Sequence, residues 1–154
     1  MQITVAHILA EKDERIAFLH PSQLIGEALE MLEFEDVGAL VVSKRGTKVD
    51  GILSERDVVR GLRYYGPEIF DRTVADLMTI DVHTCAVSMP RGEAAALMHE
   101  KAIRHLPVVD AGKFVGMISL HDVTPVEDAD LLRVTSSTGP RRPSCEPDSG
   151  RVSN

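Results

Sequence analysis

The sequence predicts a mixed α/β (α+β) fold built from two tandem repeats, each with the element order β-α-β-β-α. The first observation is a phrase that occurs twice, since Gly51–Asp57 read GILSERD and Gly116–Asp122 read GMISLHD. The second is that Gly26–Ala28 recur 66 residues later as Gly92–Ala94. The third is that helical and strand patterns follow in the same order in both copies. Self-similarity of this kind marks one supersecondary unit used twice.

In the first repeat, an apolar run predicts a buried strand at Ile16–Leu19. Apolar side chains at helical spacing, with glutamates on the other side, predict an amphipathic helix at Leu24–Phe34. Two runs rich in β-branched residues, Val37–Val42 and Val49–Leu53, are joined by a glycine-containing polar turn and predict a hairpin. A second helix is expected from Ser54 to about Leu62.

The second repeat follows the same order. Strands are expected at Val82–Cys85, His105–Val109 and Phe114–Ser119, and helices at Pro90–Lys101 and from His121 onward. Pro90 suits the first turn of a helix, where a missing amide is tolerated. Each unit alone is small, so we expect the two to pack around a pseudo-two-fold axis with two equivalent clefts along the seam.

A lead-in precedes each repeat, because Val5–Leu9 resembles Val74–Met78 at a spacing of 69 residues. The expected division of the chain is therefore 1–73 for the first repeat with its lead-in and linker, and 74–135 for the second. Residues 136–154 are rich in Ser, Gly, Pro and Arg with little to bury, which predicts a disordered tail.

The composition limits the partners. Lys and Arg total 17 against 24 Asp and Glu, a net charge of -7, so a nucleic acid would be bound against the overall electrostatics and none is expected. The start of the chain lacks a basic stretch and a long apolar run, and no segment approaches the roughly 18 apolar residues of a membrane span. Two cysteines, Cys85 and Cys145, do not make a disulfide framework. We therefore expect a cytoplasmic protein without a membrane partner.

The repeated phrase has a structural interpretation. Ser54 precedes Asp57 by three residues, and Ser119 precedes Asp122 by the same distance, as in the capping box that starts a helix. On this interpretation the four residues are helix caps, and the removal of each costs about 1 kcal/mol.

A functional interpretation uses the same residues. The N-terminus of a helix favours phosphate, and an aspartate fixed beside it can accept hydrogen bonds from a ribose diol. Arg56 adds a charge-assisted phosphate contact, where the second copy has His121. Capping alone does not explain glycine at both Gly51 and Gly116, whereas a strand glycine lets a ligand or the facing repeat approach closely.

With the lead-in Val74–Thr79, the two copies resemble a tandem pair of CBS domains, the modules named after cystathionine β-synthase, over Val5 to about Thr124. In that family the pattern Gly-apolar-x-Ser/Thr-x-x-Asp marks adenosine-nucleotide binding, with the Asp on the ribose hydroxyls and the Ser/Thr near ribose or phosphate. The stretch Ser54–Asp57 further resembles free-standing bacterial CBS-pair proteins, in which the arginine reaches a phosphate.

The resemblance implies a set of nucleotide-binding residues in two clefts. They are Ser54, Arg56 and Asp57 in one cleft, Ser119, His121 and Asp122 in the other, the adenine-contacting backbone of Val37, Gly38 and Ala39 in one and of Ile103, Arg104 and His105 in the other, and the wall residues Ala17 and Thr84. The implied ligand is AMP, ADP, ATP, NAD or S-adenosylmethionine, with no required cofactor and no metal. His121 in the place of Arg56 makes the first cleft the better phosphate binder.

Three classes of function follow. The leading one is a non-catalytic sensor of adenosine nucleotides, which the family implies to be a homodimer and which passes its signal to an unidentified effector protein. The alternative is a structural interaction module whose clefts are empty. An enzyme is the third, but neighbours on one turn, such as Ser119, His121 and Asp122, cannot form a serine-to-imidazole-to-carboxylate relay.

Overall fold

Two copies of one pattern of helices and strands follow each other along the chain. The computed structural model describes residues 2–12 and 16–125, so the expected tail at 136–154 and the end of the second repeat lie outside the described residues. The first copy with its lead-in comprises α1 (Val5–Lys12), β1 (Phe18–Leu19), α2 (Ile25–Glu35), β2 (Ala39–Val42), β3 (Gly51–Ser54), α3 (Glu55–Tyr65) and a 3₁₀ helix (Gly66–Asp71). The second comprises α4 (Val74–Leu77), β4 (Cys85–Ala86), α5 (Arg91–Lys101), β5 (His105–Asp110), β6 (Lys113–Ser119) and α6 (Leu120–Val123).

Each copy forms its own three-stranded sheet, in the order β1-β2-β3 and β4-β5-β6. In both sheets the short first strand runs parallel to the second, and the second and third strands form the predicted antiparallel hairpin. The registers correspond, because Ala39 lies opposite Ser54 in one hairpin and His105 lies opposite Ser119 in the other. The sheets therefore place the two repeated phrases at equivalent positions.

The first strands are shorter than the sequence predicts. Within the strand predicted at Ile16–Leu19, Leu19 is the fully buried residue, whereas Ile16 lies outside the observed strand and is 54% exposed. In the second repeat the strand begins at Cys85 rather than Val82. The first strand of each sheet has one hydrogen-bonded neighbour. An apolar residue that this neighbouring strand does not reach is therefore not held in the sheet.

The helices begin and end close to their predicted limits. Pro90 stands just before α5, with an extended backbone, rather than in its first turn. The last helix begins at Leu120, one residue before the predicted start. Two equivalent helices of the repeats stop at a residue in the left-handed conformation, Asp36 after α2 and Ala102 after α5. This stop directs the following residues toward the seam between the repeats.

Each lead-in helix packs on the other repeat. The backbone N–H of Val5 in α1 donates to the Met89 carbonyl in the second repeat at 2.9 Å. The backbone N–H of Val74 in α4 donates to the Gln23 carbonyl in the first repeat at 2.8 Å. Val5 belongs to the apolar cluster of the second repeat, and Val74 to that of the first. The two copies therefore exchange their lead-ins.

The glycine of each repeated phrase gives room to a lead-in. A Cβ atom on Gly51 would lie 2.8 Å from the Met78 sulfur and 3.0 Å from the Thr79 carbonyl oxygen. A Cβ atom on Gly116 would lie 2.9 Å from the Leu9 Cδ2 atom. Close approach of the facing repeat, one of the two explanations considered from the sequence, accounts for both glycines.

Candidate functional site

The first cleft is a cavity of about 610 Å³ in the seam between the two repeats. Its lining comes from the start of α3, from the linker after α4 and from the segment that joins α5 to β5. The lining residues are Gly38, Ile52, Ser54, Glu55, Arg56, Asp57, Arg60, Thr79, Asp81, Val82, His83, Lys101, Ala102, Ile103, Arg104 and His105. The volume falls within the range of small-molecule sites.

Ser54 and Asp57 form the capping box at the start of α3. The Asp57 Oδ2 atom accepts hydrogen bonds from the Ser54 backbone N–H and hydroxyl, both at 2.9 Å. In return the Asp57 backbone N–H donates to the Ser54 hydroxyl oxygen at 3.3 Å. The Asp57 Oδ1 atom accepts from the Thr79 hydroxyl at 3.2 Å. The structural interpretation of the phrase thus holds, and it leaves the carboxylate facing the first cleft.

The first cleft carries more positive than negative side chains, although the whole chain has a net charge of -7. Its basic residues are Arg56, Arg60, Lys101 and Arg104, and its acidic residues are Glu55, Asp57 and Asp81. Two of the arginines are one helical turn apart on α3, so their side chains lie on one face of that helix. The cleft therefore combines cations for a phosphate with a carboxylate for a hydroxyl pair.

His105 lies at the seam, half-buried, and its ring stands 3.3 Å from where a Gly38 Cβ atom would be. Burial lowers the pKa of His105, the Glu55 charge opposes that shift, and the Arg104 charge adds to it. The imidazole is therefore mostly neutral at pH 7. An anion in the first cleft would favour its protonated form.

The second cleft is a smaller cavity, of about 240 Å³, lined by Ile16, Ala17, Glu35, Val37, Ala39, Leu40, Phe114, Gly116 and Met117. Most of its residues occupy positions equivalent to those of the first cleft, with different chemistry. Glu35 stands in the place of Lys101, Ala17 in the place of His83, and Ala39 in the place of His105. The second cleft is consequently apolar and carries an acid where the first carries a base.

Asp122 is already engaged by a cation. Its Oδ2 atom accepts from the Lys12 ammonium at 2.9 Å, and from the Ser119 backbone N–H at 2.7 Å and hydroxyl at 3.0 Å. Burial raises the pKa of the Asp122 carboxyl, but the Lys12 and Ser119 hydrogen bonds and the Lys12 charge outweigh burial and leave the pKa below its usual value. Lys12 also donates to the Met117 carbonyl oxygen at 3.2 Å.

The first cleft keeps Ser54, Arg56, Asp57 and Gly38 together, as the sequence predicts. It also contains Ile103, Arg104 and His105, which were expected in the other cleft. Val37, Ala39 and Ala17 line the second cleft instead. Ser119, His121, Asp122 and Thr84 are not among the lining residues of either cavity. Each cleft is thus built across both repeats.

Sequence reasoning missed Arg60, Asp81 and Lys101 in the first cleft, and Lys12 near the second. Arg60 had a signal, because it follows Arg56 by four residues at the start of a predicted helix. The other three lie on the repeat or lead-in opposite to the phrase they approach. Their placement depends on how the two copies pack.

Outside the clefts, few described groups have the chemistry of a site. Burial raises the pKa of the Cys85 thiol to about 11, so this cysteine stays protonated and unreactive at neutral pH. Within residues 2–12 and 16–125, no group of three or more His, Cys, Asp and Glu side chains is placed to hold a metal ion. In the same part of the chain, no helix is both long and apolar enough to cross a membrane.

Comparison with known proteins gives the same picture of two copies. The family model of the CBS domain matches twice, at residues 5–64 and 74–127. The chain is 29% identical over 109 residues to the CBS domain-containing protein YhcV of Bacillus subtilis, which covers 71% of this chain and 76% of that protein. It spans only 20% of the two inosine-5'-monophosphate dehydrogenases that it also matches.

Two solved structures bear on the fold and the clefts. The crystal structure of the CBS domain NE2398 is 34% identical, has a TM-score of 0.75, and covers 84% of this chain and 99% of that one. The crystal structure of CBSX2 in complex with AMP is 29% identical, has a TM-score of 0.62, and covers 77% of this chain and 90% of that one.

Proposed function

The chain belongs to the CBS-domain family, as a tandem pair, and we propose that it is a non-catalytic regulatory module that binds an adenosine nucleotide in the seam between its repeats. The observation that carries the proposal is the first cleft. There a hydroxyl-binding carboxylate on Asp57 lies with four basic side chains in one cavity. The complex of CBSX2 with AMP supports the same class of ligand.

The roles of the residues follow from their chemistry. When the nucleotide binds, its ribose hydroxyls displace the neutral Thr79 hydroxyl and donate hydrogen bonds to the Asp57 carboxylate. Arg56 at the start of α3 receives a phosphate, and the positive charge of Arg60 and Arg104 adds to the attraction. The backbone of Ile103 to His105 forms the opposite wall, against which the adenine packs.

The mechanism is linkage between binding and the arrangement of the repeats. The first cleft takes residues from both copies, so a nucleotide bound there stabilises their closed arrangement. The change in arrangement is the signal, and an effector protein that recognises one arrangement receives it. AMP, ADP, ATP, NAD and S-adenosylmethionine all contain the adenosine group and are the ligands to test.

Thermal unfolding of the purified protein with each of these five ligands tests the proposal. A ligand at a hundredfold excess over its Kd adds about 2.7 kcal/mol, which raises the Tm by about 5 to 10 °C. Asp57→Asn should abolish the shift. The matched control is Asp76→Asn, because Asp76 caps α4 in the same way, accepting from the Thr73 backbone N–H at 3.0 Å, but lies outside the cleft.

Other outcomes point elsewhere. If no ligand shifts the Tm at millimolar concentration, the nucleotide proposal is wrong and the empty interaction module takes its place. The capping boxes favour that alternative, since they give Ser54 and Asp57 a structural role without any ligand. If Asp76→Asn also abolishes the shift, the loss reflects general destabilisation.

We also propose that the chain forms homodimers. Val59 and Leu62 lie one turn apart on α3 and are 66% and 51% exposed. Exposed apolar side chains on one helix face are typical of a surface that a partner covers. Dimerisation would give the nucleotide a second route to the effector, through a change in how two chains assemble.

A further inference from the structure

We propose that Lys12 closes the second cleft to nucleotides, so that each chain binds one nucleotide, in the first cleft. The proposal deepens the proposed function and rests on it for the ligand. It concerns the contact between α1 and Asp122, which distinguishes the two halves of an otherwise repeated structure.

The difference begins in the two lead-ins. α1 is eight residues long, whereas α4 is four, although they are equivalent segments. Ala10, Glu11 and Lys12 favour a helix, while the β-branched Thr79 and Ile80 favour it less. After α4 the chain becomes extended at Met78, and the Thr79 backbone N–H donates to the Ile52 carbonyl at 2.9 Å.

Because α1 continues past the position at which α4 ends, its equivalent contact with the other repeat is made by a side chain instead of the backbone. The residue equivalent to Ile52 is Met117, and its carbonyl oxygen accepts from the Lys12 ammonium at 3.2 Å. The same ammonium lies 2.9 Å from Asp122, and the Lys12 side chain is only 19% exposed. In the other lead-in the residue equivalent to Lys12 is Asp81, which cannot pair with the Asp57 carboxylate.

The ion pair between Lys12 and Asp122 occupies the carboxylate that a nucleotide would need in the second copy. Asp122, the residue expected to accept the ribose hydroxyls, is held by a charge-assisted contact, whereas among the described residues the partner of Asp57 from the other repeat is the neutral Thr79 hydroxyl. Met117 lines the second cleft and Asp122 does not, and the Lys12 ammonium is bonded to both, so it ties the carboxylate to the backbone beside the cavity. Glu35 in the cavity would in addition repel a phosphate.

Calorimetric titration with ATP tests the consequence for stoichiometry. The wild type should bind one ATP per chain, Asp57→Asn should lose that site, and Asp122→Asn should keep it. Lys12→Met, which retains an apolar side chain of similar length, should gain a second and weaker site. Lys44→Met is the matched control, because Lys44 is exposed and lines neither cleft, and it should still bind one ATP.

The wild type binding two ATP, or Lys12→Met still binding one, would overturn the proposal. Acetylation of lysines, followed by mass spectrometry, tests the closure without any nucleotide. Lys12 should react about tenfold more slowly than the exposed Lys44 and Lys113, and Asp122→Asn should remove most of that difference. Lys12 reacting as fast as the exposed lysines overturns the closure. If no variant binds ATP while Lys12 stays protected, the closure stands and the proposed function fails.

Discussion

Lys101 and Glu35 are the last residues of the equivalent helices α5 and α2, and each lines a different cleft. The two clefts therefore carry opposite charges at one corresponding position. A duplicated structure has in this way acquired one wall that attracts phosphate and another that repels it. The electrostatic difference adds to the difference in volume.

Reversing the charge of Lys101 should weaken binding of phosphate-rich ligands. We expect Lys101→Glu to reduce the affinity for ATP about tenfold and to leave adenosine nearly unchanged, because only the phosphates respond to the charge. Calorimetric titration with both ligands measures the two effects. Glu35→Lys is the control and should leave the first cleft intact. Equal losses for ATP and adenosine would show that Lys101 shapes the cavity rather than contacts phosphate.

Adding a methyl group to the repeated glycines should destabilise the fold by unequal amounts. Gly51→Ala meets the Thr79 backbone as well as Met78, whereas the atoms nearest to a Cβ on Gly116 all belong to the flexible side chain of Leu9. We expect the first to cost about 1 to 3 kcal/mol and the second less. Gly92→Ala, in α5 with nothing within 4 Å, should stabilise instead. Urea unfolding gives all three free energies, and an equal cost at Gly51 and Gly116 would contradict the packing described here.

His105 should make the folded state sensitive to mild acid. Its pKa is lowered on folding, so the unfolded chain takes up a proton first as the pH falls below about 6.5. Stability is therefore fully present above that pH and declines toward the lowered pKa. The charged groups that act on it are Glu55, Arg104, Lys12 and Asp122.

The measurement is the free energy of unfolding from pH 8 to pH 5 for the wild type and His105→Gln. The other histidines are common to both proteins, so the difference between the two curves reports His105 alone. A difference that does not change with pH would mean that the ring titrates normally.

A charge on the exposed face of α3 should separate the proposed dimer. Leu62→Glu is expected to shift the species in sedimentation equilibrium from twice the chain mass to the 16.9 kDa of one chain, because a buried charge is costly in an interface. Phe34→Glu places a charge on an exposed apolar side chain of α2 and is the control. Dissociation by the control alone would place the interface on α2.

Local patterns predicted the long elements and part of the first cleft. The periodicity of α2 and the hairpin patterns depend on near neighbours, and the structure confirms them. The limits of β1 and β4 depend on a single neighbouring strand, and α1 and α4 complete the core of the other repeat. Asp81 and Lys101 line the first cleft, and Lys12 lies near the second, because the two repeats pack against each other. Contacts between distant segments leave no periodicity in the sequence.

The exchange of lead-in helices has a consequence for how the chain can be divided. A fragment that ends before Val74 would keep α1 but lose α4, which fills its own apolar cluster. Such a half could not complete itself, yet two identical halves could complete each other if the α1 of each took the place of the missing α4. The pair is thus equivalent to a swapped dimer whose halves have been joined by a peptide linker, and because the joined halves need not be identical, the two clefts can differ.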